Sequence, residues 1–199
     1  MKRILPLGII ILVLLLDQSI KIYIKSNWIL GQEYHISDWF IIHFTENNGM
    51  AYGIELGGDW GKLILSLFRI VAISAIGVYL YKITRLADKP LAYIISIALI
   101  FAGAMGNILD SVFYGMMFSE SYYQVAQFLP EAGGYAGFLH GKVVDMLYFP
   151  IIEGHFPEWF PFWGNEHFIF FRPIFNIADS AISVGISFIL MFYKNIILK

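Results

Sequence analysis

Two aspartates stand in apolar surroundings where a carboxylate needs a reason. Asp145 lies in "GKVVDMLYF", and Asp179 lies near the start of the hydrophobic run 175–192, "FNIADSAISVGISFILMF". Further polar residues share that character. Asn176 precedes Asp179 by three positions, and Asn107 precedes Asp110 by three in "AGAMGNILDS". Asp17 and Lys21 are four apart in an N-terminal apolar run. Residues at these spacings share a helix face. Charges at membrane depth are costly, usually face a bundle interior and are functional candidates.

Several acids brought together suit one kind of chemistry. Two close carboxylates do not both ionise readily; they share a proton, and one pKa rises while the other falls. The ionised member takes a proton from water while the protonated one polarises a carbonyl. That is peptide hydrolysis without Ser, Cys or metal. Two other uses of these residues stay open. Asp17, Asp110 and Asp179 would also serve as the relay of a small proton-coupled transporter. Alternatively, the polar pairs cap helices or glue them together. For Lys21 the plain reading is an ion pair with Asp17 near the outer interface, the ammonium reaching toward headgroups. The acids gather toward one side of the membrane, and Asp145 falls outside the apolar runs. Both points favour hydrolysis over the relay.

Other chemistries find no support. His35, His43, His140, His155 and His167 scatter and form no His-Glu-x-x-His pair, so no metal or other cofactor is expected. The chain has no cysteine, which removes disulfides, thiolate sites and a Cys nucleophile. A net charge of -2 without a basic patch argues against nucleic acid. Ser66, Ser96 and Ser183 lie in apolar helices with no base at useful spacing and read as packing residues.

The elements that carry these residues follow from hydropathy. Of 199 residues, 58% are hydrophobic and 14% charged, and the mean hydropathy is +0.68. That composition belongs to an integral membrane protein. Crossing a bilayer takes about 20 apolar residues, and four stretches qualify: about 4–24, 63–81, 91–109 and 174–193. The first has the basic start of a signal peptide, but Asp17 and Lys21 follow in place of a small-residue cleavage site, so it reads as a retained helix. Lys2, Arg3, Lys82, Arg85, Lys89, Lys194 and Lys199 flank the spans and belong in the cytoplasm. Both termini then lie inside, and segments of about 25–61 and 111–173 face outward, all within one membrane domain, 1–199. In "DWFIIHFTE" the residues Phe40, Ile42 and Phe44 alternate with Ile41, His43 and Thr45, which predicts a strand or hairpin. "FPEWFPFWGNEHFIFF" is rich in aromatics and prolines and should lie along the membrane surface. The expected fold is therefore all-α membrane, with a small outward-facing β platform. Ala98, Ala102 and Gly106 recur at four-residue steps, which allows close helix contact.

Five motifs in order, "DQSIK", "NNGMAYG", "GAMGNILDS", "GKVVDM" and "FNIADSA", run from residue 17 to 181. Together with four spans they resemble lipoprotein signal peptidase, also called signal peptidase II. The resemblance implies an aspartic protease of the bacterial inner membrane. Such an enzyme cleaves prolipoproteins just before a diacylglyceryl-modified Cys, near the outer leaflet. It implies Asp145 and Asp179 as the catalytic pair. Asn107 and Asn176 match the family's supporting amides, and Asp17 and Asp110 its additional acids. Lys21, Asn47 and Gly49 match motif positions expected near the substrate or supporting the site. It further implies inhibition by the cyclic peptide globomycin. Membrane lipids are expected neighbours, and a monomer is expected because one chain carries the whole set. Two departures stand out. The family often has Arg where this chain has Ser111, with Arg172 a candidate replacement. The stretches 112–139 and 146–171 are longer than usual and look like outer insertions.

Overall fold

The computed structural model describes residues 4–49, 58–86 and 89–191. The "MAYG" half of the outer-loop motif, the terminal lysines, Arg3 and the end of the run 174–193 lie outside the described residues.

Helix α1 (Ile4–Asn27) runs three residues past the expected span. It leads into strands β1 (Glu33–Ser37) and β2 (Phe40–Asn47), the predicted hairpin. Helix α2 (Gly58–Ile83) and α3 (Leu91–Leu109) follow. A π-helical turn, Asp110–Tyr114, and a last turn, α4 (Gly115–Met117), extend α3 at its C-terminal end. Then come β3 (Val143–Tyr148), β4 (Ile152–His155), β5 (His167–Phe170), β6 (Ile174–Phe175) and α5 (Ile177–Met191). Among the described residues, three helical stretches, Ile4–Asn27, Trp60–Ile83 and Leu91–Met117, are long and apolar enough to cross a bilayer. Leu5, Leu7, Ile11, Leu12, Leu15 and Leu16 of α1 stay exposed, as a lipid-facing surface requires.

The expected fourth span begins later than its hydropathy suggests. Ile174 and Phe175 form a short strand, and the helix starts at Ile177. Apolar residues suit either state, so hydropathy alone does not separate a strand from the helix it feeds. The four-stranded sheet has the order β1-β2-β3-β6, with antiparallel pairing throughout. Thr45 pairs with Asp145, Glu46 with Val144 and Asn47 with Val143. The simple alternation expected in β2 fails: Ile41 and Phe44 are the buried positions. An irregularity between Ile42 and Thr45 shifts the register there and changes which face each residue presents.

The outer core joins these parts. Ile24, Phe44, Tyr114, Phe118, Ala126, Val144 and Met146 form one buried cluster drawn from α1, β2, the π-helical turn, the following loop and β3. Widening at the π-helical turn leaves helix carbonyls facing outward. Ser111 O accepts from Gly141 N (2.8 Å), and Val112 O accepts from Leu139 N (3.3 Å). Gly141 permits this approach, because a Cβ there would lie 2.1 Å from Asp110 O.

Inside the bundle α3 and α5 touch through small residues. A Cβ on Gly103 would lie 2.1 Å from Ala178 O, and one on Gly106 would lie 2.7 Å from Asp17 Oδ2. Ala98 and Ala102 are fully buried. The small-residue stripe thus works as expected, with Gly103 added to it. At the outer end, β4 and β5 form a second hairpin. Phe149 stacks on Phe40 (4.7 Å between centroids) and on Phe175 (5.6 Å), tying the hairpin's base to the main sheet. Trp159 and Phe162 at its far end are exposed.

Candidate active site

Asn176 begins α5 and shows why the site forms here. Its Oδ1 accepts from Asp179 N (2.9 Å), while Asp179 Oδ2 accepts from Asn176 N (3.3 Å). This reciprocal pair caps the helix in the manner of a capping box. The Asn-x-x-Asp spacing is therefore a helix start as well as a polar pair. The amide of Asn176 faces the other way. Its Nδ2 donates to Asp145 Oδ1 (2.7 Å) and lies within reach of Asn107 Oδ1 (3.0 Å) and Val144 O (3.2 Å). One side chain thus contacts Asp145 and caps the helix turn that holds Asp179.

Asp145 is brought in by β3, whose first four residues are buried. Its second oxygen accepts from Asn47 Nδ2 at the end of β2. Asn47 Oδ1 in turn accepts from Gly49 N (2.5 Å), and Gly49 has a positive φ of 87° that favours glycine. Asp179 Oδ1 accepts from Asn107 Nδ2 (2.7 Å). Burial, and next the nearby charge of Asp179, push Asp145 up to about 8. Lys21 and the two amide donors pull in the opposite direction but do not overcome burial.

A second layer sits beneath the two carboxyl groups. Lys21 Nζ reaches Asp17 Oδ2 (2.9 Å), Asp110 Oδ2 (2.8 Å) and Asn107 Oδ1 (2.9 Å). All three donor positions of the ammonium are therefore occupied. This overturns the expectation that Lys21 reaches toward headgroups: the side chain is fully buried. The reason is a second acid, Asp110, which sequence spacing does not bring to Lys21. Because Asn107 Oδ1 accepts from Lys21 and Asn176, its NH2 must turn to Asp179. Asp17 Oδ1 accepts from Ala178 N (2.9 Å) and so helps satisfy the first turn of α5. Asp110 accepts from Gln18 Nε2 (2.8 Å) and from Val144 N (3.3 Å), next to Asp145. Gln18 also accepts from Tyr114 Oη (3.2 Å). Asp17, Lys21 and Asp110 thereby join α1, α3, β3 and α5 around the carboxyl pair.

All nine residues singled out in the sequence therefore fall in one network. One was missed. Arg69 of α2 donates to Gly49 O, and its guanidinium interacts electrostatically with both Asp179 and Asp145. Arg172, the candidate replacement for the Arg absent at Ser111, is exposed instead, near Tyr148. Ser111 itself is buried, and its hydroxyl donates to Asn107 O (3.2 Å). A lone Arg in an apolar helix was the available signal for Arg69. Among the described residues, no three His, Cys, Asp or Glu side chains gather as a metal site requires.

The family described as "Signal peptidase (SPase) II" matches residues 9–194. A lipoprotein signal peptidase of Porphyromonas gingivalis is 53% identical over 186 residues, covering 94% of this chain and 81% of that protein. One from Amoebophilus asiaticus is 33% identical and covers 92% of this chain and 75% of its own. A solved bacterial membrane enzyme superposes with a TM-score of 0.61 at 26% identity, covering 94% of this chain and 91% of that one. A second, at 24% identity and a TM-score of 0.59, shares the fold. With the family match spanning nearly the whole sequence, the chain belongs to the signal peptidase II family.

Proposed function

We propose that Asp145 and Asp179 are the acid–base pair with which this enzyme removes signal peptides from prolipoproteins. The chain is a multi-pass membrane protein and an aspartic peptidase of the signal peptidase II family. Its relatives are named lipoprotein signal peptidases, and prolipoproteins are accordingly its substrates. The observation that carries the dyad is Asn176, whose side-chain NH2 donates to the Asp145 carboxylate while its backbone N–H donates to the Asp179 carboxylate.

The pair holds one proton between its two carboxyl groups near neutral pH, since burial and Asp179 disfavour the charged form of Asp145. The ionised carboxylate takes a proton from the attacking water. The protonated one donates a hydrogen bond to the scissile carbonyl and stabilises the charge that develops on its oxygen. The tetrahedral carbon then releases the amine of the diacylglyceryl-modified Cys, which accepts a proton from the pair. The dyad titrates as a unit. Asn107, Asn176 and Asn47 aim the carboxyl groups, and Arg69 holds the loop at Gly49 while balancing their charge. Asp17, Lys21 and Asp110 brace the helices.

The apolar helix α5 enters the membrane as a fourth crossing, both termini are cytoplasmic, and the dyad lies near the outer leaflet. The substrate's lipid chains then remain in the bilayer during cleavage. The enzyme works as a monomer, and globomycin occupies the same site. The test is cleavage of a diacylglyceryl-modified prolipoprotein by purified wild type, Asp145→Asn and Asp179→Asn, each with and without globomycin. Either substitution should lower turnover by at least about 100-fold, the low end of general acid–base contributions. Wild-type cleavage should fall as pH rises through about 8, where the shared proton leaves. Near-normal turnover in either variant would refute the dyad.

A further inference from the structure

Apart from the dyad and the Asp17–Lys21–Asp110 layer beneath it, another buried charged cluster joins the long outer loop to β2. Lys25 of α1 and Glu46 of β2 pair directly, and both are buried. Ser121, in the stretch between α4 and β3, completes the set. Its Oγ accepts from Lys25 Nζ (2.9 Å) and donates to Glu46 Oε1 (2.8 Å), and the residue is fully buried. The rings of Phe118 and Tyr135 lie 5.4 and 5.0 Å from Lys25 Nζ and cover the ammonium. Glu46 Oε2 is buried with no hydrogen bond and lies 3.8 Å from Lys142 Nζ, at ion-pair distance only. Lys142 also reaches Glu120 Oε2 (3.3 Å) and immediately precedes β3. Backbone bonds fasten the same loop: Leu30 N donates to Ser121 O (3.3 Å), and Lys142 N donates to Tyr135 Oη (2.6 Å).

The position of Glu46 gives this cluster its meaning. Asn47, the next residue, donates to Asp145, and Glu46 itself pairs with Val144 beside Asp145. Successive residues of a strand point to opposite faces. Glu46 is therefore gripped on one face while Asn47 works on the other. A buried ion pair is weak evidence for stability, since well-packed apolar groups often do as well. It is better suited to fixing register. We infer that the outer loop 119–142 is a clamp: Ser121 closes the Lys25–Glu46 pair so that β2 presents Asn47 to Asp145. Lys25, Glu46 and Ser121 are positioning residues, acting on the reaction only through Asn47. The inference rests on Asp145 belonging to the catalytic pair.

The test compares four enzymes with wild type. They are Asn47→Ala, the paired Lys25→Met with Glu46→Met, Ser121→Ala, and the pair combined with Asn47→Ala. Rates of prolipoprotein cleavage are measured across pH, alongside thermal midpoints in detergent. The charged groups facing Asp145 are Asp179 from α5, Lys21 from α1 and Arg69 from α2, and none is altered; of its two amide donors, Asn176 is kept and Asn47 is the one changed by design. The paired variant should lose about 10- to 100-fold in kcat with KM unchanged, as a small misplacement near the chemistry does. Its basic limb should move to higher pH, as in Asn47→Ala, because the ionised carboxylate loses a donor. The combined variant should be no worse than Asn47→Ala alone, since both act through one contact. Ser121→Ala removes only a hydroxyl and should show the same direction of change, which keeps the test decisive if the paired variant does not fold. Wild-type kcat in folded variants would overturn the clamp. So would losses that add to those of Asn47→Ala with an unmoved pH limb. Asp145→Asn runs in parallel: if it still cleaves, the dyad reading fails first, whereas additive losses with an inactive Asp145→Asn remove the clamp alone.

Discussion

Asp145 is a carboxyl group whose fold opposes its charge. Its pKa stands near 8 in the folded enzyme, against about 3.9 for an unfolded aspartate. Between those values the unfolded chain holds fewer protons than the folded one. Stability therefore falls as pH rises through that window and levels off above it. An asparagine at this position carries no such penalty. Wild type should lose more of its thermal midpoint between about pH 5 and about pH 9 than Asp145→Asn does. Scanning calorimetry in detergent would measure it, and equal losses would contradict the raised pKa. Asp17, Asn107, Asp110, Asp145, Asn176 and Asp179 stood out in the sequence because each sits in an apolar context that demands a partner, whereas Asn47 stood out only by its resemblance to a family motif. Lys21 was misjudged because its second partner, Asp110, comes from another helix. Arg69 stayed hidden because nothing local pairs with it. Lys25, Glu46 and Ser121 are ordinary polar residues in sequence and acquire meaning only once the loop folds back.

Helix α5 is placed by contact rather than by length. Its first turn is held by Asp17, by Asn176 and by the close approach of Gly103 to Ala178 O. A methyl group on Gly103 meets backbone, which has no rotamer to escape through. Gly103→Ala should therefore cost about 1–3 kcal/mol in stability, as overpacking typically does. It should also reduce turnover by shifting Asp179. Gly8→Ala provides the contrast, because nothing lies within 4 Å of a Cβ there. That change should be neutral or slightly stabilising, given the better helix propensity of alanine. Thermal midpoints of the two variants, side by side, decide the point; equal behaviour would mean the α3–α5 contact is looser than described. The presence of three membrane-length helices was readable from hydropathy, and a strand or hairpin at β2 from its alternation. The start of α5 and the irregularity in β2 were not, since strand pairing with β3 settles both and no local pattern reports it.

For the whole molecule, basic flanks predict which side each loop faces. The chain has no cysteine, so single cysteines report topology without a background. Tyr123 is 97% exposed in the outer loop, and Leu86 is 45% exposed after α2. Tyr123→Cys should react with a membrane-impermeant maleimide in intact spheroplasts. Leu86→Cys should react only after permeabilisation. The reverse pattern would invert the topology and put the dyad on the wrong leaflet for its substrate.

The carboxyl pair is shared between β3 and the helix that follows it, and its last amide, from Asn176, arrives with that helix. With the proposed pair, no peptide bond can be cut until α5 has been synthesised and has docked against α3. On that reading a nascent enzyme stays latent until α5 is in place.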